Sequence, residues 1–109
     1  MVKPTGEEPV IQKNFPNSFR ASTLTDTLLA QGVQELVIVG AMSHMCIDAT
    51  TRAAFDAGYT CSVASDACTT RALQFNGEEI AAPAVHGAFM AALSSPYARV
   101  DSTAALLGD

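Results

Sequence analysis

The sequence predicts an α/β fold, a three-layer α/β/α sandwich around a mostly parallel, Rossmann-like sheet. Three observations predict it. Short apolar runs alternate with helical patterns along the 109 residues, four times in the order strand then helix. The run Leu36-Val37-Ile38-Val39 is continuously apolar, which suits a parallel strand covered on both faces. Gly32, Gly58 and Pro83 stand where helices of that alternation should stop or start.

The elements follow in order. Residues 1–8, with Pro4 and Gly6, form a tail, and Pro9 closes it. Val10 and Ile11 are a short apolar strand that ends at Lys13, and "NFPNSF" is a loop. Thr23 to Ala30 is a helix, with Thr23 and Asp26 spaced as a capping box and Gly32 suited to a left-handed C-terminal position. "ELVIVG" is the clearest strand. A helix from about Met45 to Ala57 follows. Asp48, Arg52 and Asp56 form its solvated row, and Ala49, Ala53 and Ala57 a small-residue row able to lie close on a sheet. "YTCSVAS" is the next strand, with Cys61 and Val63 on one face, and "DACTTRALQFNGEE" is a long polar loop. Pro83 opens an amphipathic helix in which Val85, Phe89, Ala92 and Leu93 face the core, ending near Ser95-Pro96. "ARV" is a last short strand, and Ser102 to Leu107 a final helix.

Composition removes whole classes of function. Charged residues are 16% and apolar residues 49%, the balance of a folded, soluble chain. A net charge of −5 with scattered Lys and Arg argues against nucleic acid as a partner. No apolar run approaches the ~20 residues of a membrane helix, so no membrane partner is expected. Three cysteines, no CxxC and two histidines make no zinc pattern, and no metal or other cofactor is expected. The expected setting is a reducing cytoplasm.

Ligands of open parallel sheets bind beyond the carboxyl ends of the strands. Lys13, the stretch from Gly40 to Cys46, and Ser65-Asp66 all fall there. Cys46 lies in the first turn of its helix, where unpaired backbone N–H groups favour a thiolate. A neighbouring Lys13 ammonium would favour it further. The same N–H groups suit an oxyanion forming during attack on a carbonyl. Cys61, mid-strand, and Cys68, in a loop, have no such address and are assigned to packing. His44 and His86 are the alternative partners for a nucleophilic thiol. His44, two residues from Cys46, is instead placed with Phe19 and Met45 as a substrate-lining residue, and His86 as a hydrogen-bonded structural histidine. Asp66 is assigned a capping role.

The blocks "VIQKNFPNSF", "LTDTLLAQGVQELVIVGAMSHMCIDATTRAAFDAGYTCSVASDACTT" and "AVHGAFMAAL…YARVDSTAALL" resemble the isochorismatase-like cysteine hydrolases, the superfamily that includes nicotinamidases and N-carbamoylsarcosine amidase. The resemblance spans about Pro9 to Leu107. It implies a Cys–Lys–Asp triad in which Cys46 matches the nucleophile and Lys13 the lysine. It implies a cis peptide at Ala41-Met42 and an oxyanion hole made by the Met42 and Cys46 backbone N–H groups. The family's Asp closes the first strand, and no matching run precedes Lys13 here. The chain is therefore expected to be one domain over residues 1–109, the C-terminal portion of such a hydrolase, incomplete at the N-terminal side. In nicotinamidases the metal ligands also lie in the N-terminal portion that has no match here, so the resemblance assigns no metal.

The expected function is hydrolysis of the amide C–N bond of a small molecule through a thioester on Cys46. The alternative is a non-catalytic α/β binding or assembly module. A strand lost beside residues 35–39 leaves an open edge, and open edges recruit other chains. The expected partners are thus a small-molecule amide and either a second copy of the chain, as a homo-oligomer, or a chain that supplies the absent strands.

Overall fold

In a computed structural model, residues 3–108 are described. The elements are α1 (Leu24–Ala30), β1 (Glu35–Ala41), a π-helical turn (Ser43–Ile47) continuing into α2 (Asp48–Asp56), β2 (Thr60–Thr69), β3 (Leu73–Phe75), β4 (Glu78–Ile80), α3 (Ala82–Leu93), β5 (Arg99–Asp101) and α4 (Thr103–Leu107). β1, β2 and β5 form one parallel sheet in that order, flanked by helices, and β3 and β4 form a separate antiparallel pair. The α/β architecture is the expected one.

The core explains the layering. Ile47 from the π turn, Val63 from β2 and Met90 and Leu93 from α3 are buried together, with Ile38, Tyr97 and Val100 packed against them. Val63 and Leu93 are 0% exposed, and Ala64, which points to the opposite face of β2, is 2% exposed. α4 packs against β2. Ser102 caps α4 by accepting the Ala105 N–H at 3.1 Å.

Several elements differ from expectation, each for a physical reason. Val10 and Ile11 form no strand, because among the described residues no ladder partner pairs with them. Of the predicted tail, residues 3–8 are irregular with one turn closed by Glu8 N–H to the Thr5 carbonyl, and residues 1 and 2 lie outside the described residues. The Thr23 capping box is not made; the Ser22 hydroxyl oxygen accepts the Leu24 N–H instead. The other end of α1 behaves as predicted. Gly32 has φ +66°, its N–H bonds to the Leu29 carbonyl, and Val33 N–H reaches back to Leu28, a Schellman closure.

The expected long loop contains structure. β2 runs on to Thr69, beyond a bulge: Ile38 pairs with Val63 but Gly40 pairs with Cys68, so β2 carries three more residues than β1 across that step. Residues 73–80 form a hairpin whose Asn76-Gly77 turn has φ +53° and +76°. Asn-Gly between extended flanks is the usual sequence for such a turn, and "FNGEE" carried it. α3 begins at Ala82, one residue before Pro83, and its buried positions are Val85, Met90 and Leu93; Ala92 is exposed. The buried face of α2 is Ile47, Thr51 and Ala54, because the π turn aims Ile47 inward. The Ala49, Ala53 and Ala57 row lies beside that face rather than on it. The predicted charged row survives in part, as Arg52 bonds Asp48 at 2.9 Å.

β1 is not covered on both faces. Leu36 and Ile38 turn toward the core, while Val37 is 66% exposed and Val39 54%. Among the described residues no strand pairs with the other edge of β1, so the strand is an open edge with one bare apolar face.

Candidate active site

β1 ends in a sharp passage into the helix. Gly40 has φ +131°, a conformation that side-chain-bearing residues rarely adopt. The Ala41-Met42 peptide is cis. Met42 is still extended (φ −101°, ψ 154°), and its carbonyl accepts the N–H groups of Met45 at 3.0 Å and Ile47 at 3.3 Å. The second of these is an i to i+5 bond, the mark of a π turn, and such turns recur at functional sites. Cys46 sits between the two donors, half-buried in the first turn of the continuous π-then-α helix.

Lys13 Nζ donates to Cys46 Sγ at 3.3 Å across 33 residues of sequence. A strand does not position this lysine. The arm over residues 14–22 is clamped to α2 at Thr50, one turn beyond Cys46. Thr50 Oγ1 accepts the Ser18 N–H at 3.0 Å, and Thr50 and Ser18 hydroxyls meet at 3.1 Å. Asn17 closes a side-chain turn onto the Phe19 N–H at 2.9 Å, and Arg20 covers the Phe15 ring at 3.8 Å. These local bonds replace the missing ladder.

Lys13 and Cys46 open onto a cleft of about 200 Å³. Its walls are Ile38 to Ala41 of β1, Ile47 and Thr50 of the helix, and Ser18 of the arm. It lies along the open side of β1, and among the described residues no Asp or Glu lines it.

The expected substrate-lining residues lie elsewhere. Phe19 stacks on Tyr59, beside the amino end of β2, with ring centroids 6.0 Å apart. His44 bonds Thr70 through Nδ1 at 2.9 Å and meets the Phe89 ring edge-on. Met45 points outward, 37% exposed. None of the three lines the cleft; Ser18 and Thr50 do, and the sequence reading missed both. Thr50 had a signal, since i+4 from Cys46 places it on the same helical face.

Of the other thiols, Cys61 is buried and Cys68 half-buried. Burial pushes the Cys61 thiol up. Burial also pushes Cys68 up, partly offset by the Gly40 backbone N–H, with nearby Asp66 adding to the rise. Asp66 is committed to α4: its carboxylate accepts the Thr103 hydroxyl at 2.6 Å and the Thr103 N–H at 2.8 Å, and these bonds hold it below the usual carboxylate range. His86 is bonded at both ring nitrogens, to Ser43 Oγ and to the Ser65 carbonyl.

Comparison with known proteins shows what the chain is similar to. The isochorismatase domain model matches residues 1–95. An uncharacterized isochorismatase family protein, YddQ of Bacillus subtilis, is 51% identical over 106 residues, 97% of this chain and 59% of that protein. Nicotinamidase 3 of Arabidopsis thaliana is 32% identical over 66 residues, 61% of this chain and 33% of its own length. The crystal structure of an isochorismatase from Pseudomonas putida superposes with a TM-score of 0.92 at 38% identity, covering 94% of this chain and 53% of that one. The chain thus spans between a third and three-fifths of the length of these relatives.

Proposed function

Because the chain belongs to the isochorismatase domain family, we propose that it carries the nucleophilic half of a cysteine-dependent hydrolase acting on the amide C–N bond of a small molecule. The observation that carries this reading is the Lys13 Nζ to Cys46 Sγ contact of 3.3 Å at the mouth of the cleft. A nicotinamidase among the relatives favours an amide as the substrate class.

The chemistry follows from the placement. The ammonium of Lys13 stabilises a thiolate, which attacks the substrate carbonyl carbon. The Met42 and Cys46 N–H groups hold the oxyanion. The C–N bond breaks as the amine takes a proton, leaving a thioester on Cys46. Water then adds to the thioester, releasing the acid and restoring the thiol. The proton carrier is a carboxylate from a segment that covers the open side of β1, since Asp66 is occupied at α4 and no Asp or Glu among the described residues lines the cleft. The working enzyme is then an assembly of this chain with that segment.

The bare face of Val37 and Val39 favours one alternative, a non-catalytic module that binds a completing chain, whether another copy or a different polypeptide. One experiment separates the two. The chain is mixed with a separately made polypeptide carrying the N-terminal portion present in its relatives, and release of ammonia or amine is followed over a panel of small carboxamides. Turnover that Cys46→Ala abolishes, with an acyl adduct on Cys46 in intact-mass spectra, is the expected result. Tight association without turnover or adduct favours the binding module.

A further inference from the structure

We infer that His86, acting through Ser43, is a positioning residue that holds the turn presenting Cys46; this rests on reading Cys46 as the nucleophile. Ser43 is the first residue of the π turn and is 0% exposed. Its Oγ lies 2.7 Å from His86 Nδ1 and 3.3 Å from the Thr69 carbonyl oxygen. His86 Nε2 lies 2.9 Å from the Ser65 carbonyl oxygen.

The direction of the bond to Ser65 is fixed by chemistry. A carbonyl oxygen only accepts, so Nε2 carries the hydrogen and donates to Ser65. Nδ1 meets the Ser43 hydroxyl at 2.7 Å, and that hydroxyl is also within donating distance of the Thr69 carbonyl at 3.3 Å. The chain of hydrogen bonds therefore runs from the start of the nucleophile's turn, through α3, to β2.

Its far end is the β2 bulge. Ser65 lies among the residues that the step from Val63 to Cys68 removes from pairing with β1. His86 thus occupies a carbonyl at the irregularity that brings Cys68 and Thr69 alongside Gly40 and Ala41. A buried donor or acceptor left without its partner is costly, so the histidine and serine are held to one arrangement. Cys46 is three residues beyond Ser43 on the same turn. Lys13 approaches from the arm on the other side, so where Ser43 is fixed decides how closely sulfur and ammonium meet. Neither side chain lines the cleft, so neither is assigned contact with substrate.

Alkylation of Cys46 by iodoacetamide, followed by peptide mass spectrometry across a pH series, tests this on the chain as it stands. Circular dichroism and urea midpoints check that each variant is folded at the assay condition. Ser43→Ala and His86→Ala are expected to slow Cys46 labelling at neutral pH by about tenfold, as expected of a reacting group moved off its geometry, and to displace its pH profile upward. His86→Gln has an amide that can donate to Ser65 and accept from Ser43, and it should keep the wild-type profile. A folded Ser43→Ala or His86→Ala with an unchanged profile overturns the positioning role alone. Where Ser43→Ala does not fold, the two His86 variants decide: equal losses with no rescue by Gln overturn it. Wild-type Cys46 that labels no faster than the same thiol in the urea-unfolded chain overturns both this role and the nucleophile reading.

Discussion

The two sides of the β1–β2 pair are built differently. Toward β2, β5 and α3 the chain is a finished core, with Val63 and Leu93 at 0% exposure and the buried Ser43 hydrogen-bonded to His86. Across β1 the same sheet is bare, with Val37 66% exposed. The candidate chemistry sits on the border. Cys46 is fixed from the finished side, through the π turn and Ser43. Lys13 is supplied from the unfinished side, on an arm held mainly by Thr50. The candidate nucleophile, held by the core, therefore faces a candidate activator whose support is a few side-chain bonds. Covering β1 should order the second without rebuilding the first.

The largest effect should come from the finished side. Leu93→Ala empties a fully buried site against Ile47, Val63 and Met90. A loss of about 2–5 kcal/mol is expected for such a truncation, read as a lowered urea midpoint in the isolated chain. A loss under ~1 kcal/mol would mean that this half is loosely packed and would break the contrast. Lys13→Met probes the border. It removes the ammonium but keeps a stem of similar length, so the fold should hold. Labelling of Cys46 at neutral pH should slow by about three- to tenfold, the modest size expected where a charge pair is partly solvated. An unchanged rate would assign the activation of the thiol to the backbone alone.

A smaller effect concerns α4 and depends on pH. Asp66 is held below the usual carboxylate range by the Thr103 hydroxyl and N–H. A depressed folded-state value means the bonds contribute fully above the unfolded carboxylate value of ~3.9 and are lost as pH falls through the folded value. Wild type should therefore be more stable than Asp66→Asn at pH 7, and the gap should close below about pH 4. Urea midpoints at pH 7 and pH 3 measure it; a gap that widens in acid contradicts the assignment.

Much of this division was legible in the sequence, and the reasons differ by element. The LVIV run announced β1, and Gly32 and Pro83 marked helix ends, because those features act within a few residues. The Asn76-Gly77 hairpin was equally local and was hidden only by reading a polar stretch as one loop. The bulge in β2 was not legible, since nothing in "VASDAC" states which residues β1 will skip. The site divides in the same way. Cys46 could be singled out from its place between a strand and a helix. Its distance from Lys13, 33 residues away, needed either the family resemblance or the fold. The Ser43–His86 link spans 43 residues and no period points to it. Phe19, His44 and Met45 were placed near the sulfur by sequence proximity or hydrophobicity, and side-chain direction carried them to Tyr59, Thr70 and the surface.

The smallest effect is the sharpest test of the contrast. Val37→Thr keeps the shape of a β-branched side chain and adds one hydroxyl on the bare face. With two-thirds of Val37 already in water, the isolated chain should change by no more than about 0.5 kcal/mol. When a completing segment covers β1, the same hydroxyl is buried against it, and association should weaken by about 1–3 kcal/mol unless it finds a partner there. The two measurements, a urea midpoint for the chain alone and a dissociation constant for the assembly, should thus move by different amounts. A substantial loss of stability in the isolated chain that grows with protein concentration would show the face already covered by another copy. In that case the asymmetry across β1 describes one protomer only, and the dimer is what should be searched for the missing carboxylate.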